Sequence, residues 1–139
     1  MVNYLAGLRA LLLDNDALVA RVGNRVYGLE FPRASVATNA MPLDSIVLNP
    51  SGGLDSRSYV PITRPRVDVW AYGPTASDAM WTLLAAHDAM KYVKNATHGT
   101  VRIYGANQIS GPVNFREPET EWPLVISSWE VLVNEVAAA

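Results

Sequence analysis

One long helical pattern, starting at Thr75 and running through about Val93, separates two groups of strand-like segments in this chain. Thr75 followed by Asp78 makes a capping-box-like start, because the hydroxyl satisfies an early amide and the carboxylate lies near the positive helix end. Lys91 and Lys94 suit the negative end of the last turn. A helix of this length cannot lie within a sheet, so the flanking strands must pack against it as a second layer.

At roughly 100° per residue, Ala76, Met80, Leu83, Leu84, Met90 and Val93 gather on one broad face, the expected core side. Trp81, Ala85 and Tyr92 gather nearly opposite, where a lone domain would present charged groups to water. A second apolar face requires a second neighbour. Two neighbours satisfy the pattern: the N-terminal helix of the same chain, or another subunit at an aromatic-rich contact.

The strands flank this helix. Leu43 to Asn49 is rich in aliphatic residues, and Arg66 to Tyr72 alternates, with Val67, Val69 and Ala71 on one face and Arg66, Asp68, Trp70 and Tyr72 on the other. Two more strands are expected at Thr100 to Gln108 and Leu124 to Val136, the latter with Val125, Trp129, Val131 and Val133 on one side. Pro50 to Pro65, with Ser51-Gly52-Gly53, is long for a simple turn and reads as a projecting hairpin or a functional loop, the glycines marking a turn.

Before the first strand, Asn3 can cap a helix whose Leu5, Leu8, Leu11 and Leu12 form an apolar stripe. Asp16 can cap a short second helix that ends at Val22, where Gly23 permits the stop. Gly28 to Pro42 has no sustained period and reads as an irregular connection. This order, helices, two strands, helix, two strands, predicts one α+β domain over residues 1–139, with an antiparallel or mixed β-sheet packed against a long helix and a short N-terminal helical pair.

Composition excludes several kinds of function. Half of the 139 residues are hydrophobic and 17% are charged, enough apolar area to offset chain entropy. The 11 basic and 13 acidic residues leave a net charge of −2, which provides no overall field for a polyphosphate or an anionic membrane. Cysteine is absent, which removes disulfides, thiol nucleophiles and thiolate metal sites. No apolar run approaches the ~20 residues of a spanning helix, and no basic segment precedes an apolar one at the N-terminus, so a soluble protein of intracellular origin with no membrane partner is expected.

Catalytic patterns are missing as well. His87 falls in the inward stripe of the long helix, and its eleven-residue separation from His98 matches no common ligand spacing. Ser51-Gly52-Gly53 lacks the lysine of a phosphate-binding loop, and no Gly-x-Ser-x-Gly elbow occurs. Glu117, Glu119 and Glu121 alternate between Pro118 and Pro123, so an extended chain would set their carboxylates on one side as an acidic rim facing a partner or water. Arg57, Arg64 and Arg66, with Tyr59 among them, suit phosphate contacts if their loop faces nucleic acid, and protein contacts or solvent otherwise. No cofactor and no catalytic residue is expected.

Several short patches occur in a characteristic order: Leu8-Arg9-Ala10-Leu11-Leu12-Leu13-Asp14, Leu18-Val19, Val22-Gly23 and Arg25-Val26-Tyr27 at the start, then Ser51-Gly52-Gly53 and Arg66-Val67-Asp68-Val69-Trp70-Ala71-Tyr72. Thr75-x-x-Asp-Ala and Ile126-x-x-x-Glu-Val follow. This series resembles the tail-completion, or tail-terminator, proteins of long-tailed bacteriophages. Glu30 to Pro42 and the glutamates near Glu119 have no counterpart in that pattern.

The resemblance implies a structural virion protein at the head-proximal end of the tail, assembled in the host cytoplasm. Its subunits would form a homohexameric ring that caps the tail tube protein and receives a head-completion or neck protein, with DNA passing through the lumen. Trp81, Ala85 and Tyr92 would then lie at a subunit contact, and Arg57, Tyr59, Arg64 and Arg66 would line the lumen or face a partner. A head-completion or neck adaptor protein would share this size and class. Two other classes also remain: a small hydrolase or ligand-binding enzyme built on His87, Asp88 or the glutamates, and a nucleic-acid-binding module.

Overall fold

The computed structural model describes residues 4–28, 43–54, 62–93, 96–98, 101–116 and 121–134. Among the described residues, three helices and six strands give the expected α+β fold, with one short strand, β1 or β4, added to each expected pair: α1 (Tyr4–Leu13), α2 (Asp16–Val22), β1 (Val26–Gly28), β2 (Ser45–Leu54), β3 (Ile62–Tyr72), α3 (Ala76–Lys91), β4 (Ala96–His98), β5 (Val101–Arg116) and β6 (Pro123–Asn134). The strands form one mixed sheet in the order β1-β2-β3-β6-β5-β4. Only β1 and β2 pair in parallel among the described strands.

The helices form as their local chemistry dictates, with one change of cap. Asn15, not Asp16, caps α2: its side chain accepts the Leu18 amide at 3.0 Å, and Asp16 becomes the first helical residue, a favourable place for a negative charge. Gly23 ends α2 with φ +61°, its amide donating to the Val19 carbonyl at 2.8 Å. Thr75 caps α3 by accepting the Asp78 amide at 3.2 Å, and its hydroxyl donates to the Asp78 carboxylate at 3.0 Å. Asn3 and Lys94 lie outside the described residues.

The helices share one face of the sheet with a single large core. Leu8 and Leu12 of α1, Leu18 and Val22 of α2, and Ala79, Leu83, Ala86 and Met90 of α3 pack on Val67, Val69, Val125, Trp129, Val131 and Val133. The sequence alternation in β3 and β6 assigned these sheet residues to one face, and all of them are buried there. Gly7 lets α1 approach β5: a Cβ at this position would stand 2.7 Å from both Cβ and Cγ1 of Val101.

The segment from Pro50 to Pro65 is not a simple loop. β2 and β3 continue into it as an antiparallel ladder, with Gly53 opposite Pro65 and Leu54 opposite Arg64. Ser51 and Gly52 fall at a register shift between Pro50 and Gly53, and Gly52 has φ +91°. The glycines therefore mark a bulge inside a strand, not the expected turn, because a residue in the left-handed region absorbs an extra position without ending the ladder.

The second sheet face carries its own apolar cluster. Across the strands, Tyr27, Val47, Trp70, Ile126 and Val113 form one row, and Ser45, Tyr72, Leu124 and Phe115 form the next. Val47, Tyr72 and Leu124 are buried, with Tyr27, Trp70, Trp122 and Ile126 packed around them. Trp122 meets Tyr72 edge to face at 6.4 Å. One polar pair crosses this face, the Ser128 hydroxyl donating to the Asp68 carboxylate at 2.6 Å.

Candidate assembly surface

α3 presents its outer face to solvent. Trp81 is 58% exposed and Tyr92, at the C-terminal cap, 70% exposed, although α1 and α2 pack on the same side of the sheet. Leu84 belongs with them, at 38% exposure, and not to the inward stripe where the sequence projection placed it. Ala85 is the reverse case: it is half-buried against the core. The cause is a small rotation of α3, whose inward line is Ala79, Thr82, Leu83, Ala86 and Met90. Small side chains on that line let the helix come close to the sheet, where the Trp129 indole fills the space, and Leu84 is turned outward.

The second exposed apolar surface lies on β5 and had no counterpart among the sequence expectations. The strand runs to Arg116, eight residues beyond Gln108, through shifts of register between Ile103 and Gly105 and again between Gln108 and Val113. Val113 is 46% and Phe115 48% exposed, opposite Ile126 and Leu124 of β6 on the helix-free face. The alternation of Val113 and Phe115 was a readable signal, masked by the Gly111-Pro112 pair before it.

The residues singled out for other chemistry are dispersed. Arg64 and Arg66 are exposed residues of β3, not of a loop, and their even spacing sets both on the helix-free face. Arg57 and Tyr59 lie outside the described residues, as do Glu117 and Glu119. Glu121 is exposed with φ +57°, and its carbonyl accepts from Arg116 at 3.0 Å. This is a turn conformation, so Glu121 does not continue the extended chain on which the acidic rim was drawn.

His87 is half-buried, its ring edge-on to Trp129 at 5.3 Å and its Nδ1 3.4 Å from the Asp88 carboxylate. Among the described residues no group of three or more His, Asp or Glu side chains could hold a metal ion, and no helix is long and apolar enough to cross a membrane.

A polar node braces the α3 side. Arg21 reaches Asp44 at 4.0 Å and Asp78 at 3.9 Å, and its Nε donates to the Thr82 hydroxyl at 3.5 Å. Arg25 donates to the Asp44 carbonyl at 2.9 Å and to the Arg21 carbonyl at 3.2 Å. The node ties the end of α2 and the entry to β2 to the first turns of α3. Burial raises the Asp44 pKa above its ordinary 3.8, and the Asp78 charge adds to this, against the opposing pull of Arg21, Thr82 and Arg25.

Because the folded pKa is raised, the folded state binds the proton more tightly, and the contribution of Asp44 to stability falls as pH rises through the window just above 3.8. Asp44→Asn removes this titration. The stability of the variant relative to the native chain is expected to increase as pH rises through that window, read from thermal melts at several pH values. A difference that stays flat, or that falls, would rule the assignment out.

No protein-family model matches the chain, and no curated protein matches its sequence. Among solved structures, a chain of the virion of native gene transfer agent (GTA) particle has a similar fold. The two superpose with a TM-score of 0.69 at 17% sequence identity, over 96% of this chain and 99% of that one. The likeness therefore extends to the whole arrangement of sheet and helices.

Proposed function

We propose that this chain is a structural subunit of a phage-like virion, and that it forms the ring that terminates the tail tube and offers the surface to which the head is joined. The observation that carries the reading is the near end-to-end match, 96% of one chain on 99% of the other, to a component of a gene transfer agent virion. The finer part of the reading, a place at the end of the tail, is supported by the ordered series of sequence patches resembling tail terminators. The exposed Trp81 and Tyr92 support it physically, since large aromatic side chains concentrate at the centres of protein contacts.

In this reading the partners are further copies of the chain in a homohexamer, the tail tube protein below and a head-completion or neck protein above, with DNA passing through the lumen. Arg64 and Arg66 lie on the helix-free face, which a ring can turn toward the lumen or toward one of these neighbours. The chemistry required is surface complementarity, with no cofactor.

The test is the mass of the native assembly, with negative-stain images, for the wild-type chain and for Trp81→Asp. The wild type is expected to give six-fold rings, alone or on purified tail tubes. Trp81→Asp is expected to fold within about 0.5 kcal/mol of the wild type, because the site is open to water in the monomer. It is expected to weaken assembly by about 2 kcal/mol or more, roughly thirty-fold. Unchanged assembly in the variant would remove the contact. Binding to portal-containing heads in preference to tubes would replace the terminator with a neck adaptor.

A further inference from the structure

Among the described residues, two exposed apolar surfaces lie on opposite sides of the sheet. Trp81, Leu84 and Tyr92 look away from the sheet on α3. Val113 and Phe115 lie on the other side of the sheet, at the open end of rows that begin buried on β2 and β3. Along these rows Val47, Tyr72 and Leu124 are covered, whereas the β5 end is not. Among the described residues, no layer lies over this part of β5 as the helices lie over the sheet's other face.

We propose that the outer face of α3 in one copy packs on the helix-free face of β5 in a second copy of this chain. This inference rests on the ring reading above and names the two halves of its contact. Geometry selects a second copy in a head-to-tail arrangement. A two-fold contact pairing α3 with β5 would have to make that contact twice on one side of the molecule, which surfaces on opposite sides of the sheet do not allow, and a two-fold contact of like on like leaves the other surface in water. A head-to-tail contact buries both with one kind of interface, and its repetition gives a ring where the rotation between subunits closes, as the ring reading requires.

Charge fits the same pairing. Asp88, exposed beside the α3 stripe, is an acceptor at one rim, and Arg116, exposed at the end of the β5 strip, is a donor at the other. Asp88 Oδ1 faces His87, and Arg116 donates one N–H to the Glu121 carbonyl. Oδ2 and the other guanidinium N–H groups retain capacity for a partner. An apolar centre with opposite charges at its edge fixes the direction of docking as well as its place.

The absence of cysteine makes the contact directly testable. Leu84→Cys and Val113→Cys are both surface substitutions, and a disulfide between them requires Cα atoms within about 7 Å. Mixed in equal amounts under oxidising conditions, the two variants are expected to double in mass on a non-reducing gel, while neither does so alone. A chain carrying both substitutions is expected to give a ladder that stops at the ring number. Asp88→Cys mixed with Arg116→Cys reads the rim in the same way and covers a misfolded first pair.

Rings that form without either mixed cross-link, or with a cross-link in a single-variant sample, overturn this pairing and leave the ring reading intact. A chain that stays monomeric at every concentration and on tail tubes overturns both.

Discussion

Replacing Trp129 with alanine is expected to destabilise the folded chain by about 3–5 kcal/mol. Its indole is buried where α3 crosses the sheet, its Nε1 donates to the Ser127 hydroxyl at 3.0 Å, and the His87 ring meets it at 5.3 Å. Truncation removes the transferred area, leaves a cavity under a helix held by its neighbours, and deprives the buried Ser127 hydroxyl of its donor. Trp129→Phe helps to separate these effects, because it loses the hydrogen bond while keeping most of the volume. Urea unfolding should show the midpoint of Trp129→Ala falling with an unchanged slope and Trp129→Phe falling less. Equal losses would mean that the hydrogen bond, and not the filled volume, is the larger part.

The second large effect is expected at Gly73, in the connection from β3 to α3, where the chain lies against the first turn of α3. A Cβ there would stand 2.6 Å from the Ala79 amide nitrogen and 2.9 Å from both the carbonyl carbon and the Cβ of Asp78. These atoms belong to, or are fixed on, a helical backbone, so no side-chain rotation relieves the overlap. Gly73→Ala must displace the start of α3 and with it the Thr75 cap, at an expected cost of about 2–3 kcal/mol. Gly111→Ala is the matched control. It has nothing within 4 Å of an added Cβ, so a change of no more than about 0.5 kcal/mol is expected. Thermal melts of the two variants should differ clearly. If they agree, the close approach at Gly73 does not hold in solution.

The sequence pattern was most legible where one side of an element is buried and the other is not. β3 and β6 alternate because the helices cover only one face of the sheet, so Val67, Val69, Trp129 and Val131 announced the core. α3 was legible as a helix but read with a rotation error, because alanines carry little hydrophobic weight. Ala79 and Ala86 define its inward line, yet the larger Leu84 drew the projection toward itself.

The short strands and the strand extensions escaped for different reasons. β1 and β4 have three residues each, too few for any period to show. β5 escaped beyond Gln108 because Ser110-Gly111-Pro112 reads as punctuation. Proline is tolerated there on a strand that β4 pairs only at Val101 to Ile103, and glycine is tolerated at a bulge. Pro50, Gly52 and Pro65 hid the strand extensions in the same way: the projecting hairpin was one of the two expected alternatives, but the glycines lie at a bulge within β2. The β5 half of the proposed contact thus carried the weakest signal, since within one chain Val113 and Phe115 look like scattered exposed apolar residues.

The ladder between β3 and β6 has a consequence for timing. β2-β3 and β5-β6 are hairpins that can close locally, whereas Asp68 and Ser128, which meet at the centre of the sheet, stand sixty residues apart in the chain. Non-local pairing of this kind is slow, because the entropy of closing the intervening chain is lost before the contacts form. α3 belongs to that intervening chain and β5 to the hairpin that closes on it. Newly made subunits therefore present neither surface in finished form until the two halves of the sheet have joined. In the proposed assembly, the order of folding itself would then hold back premature association.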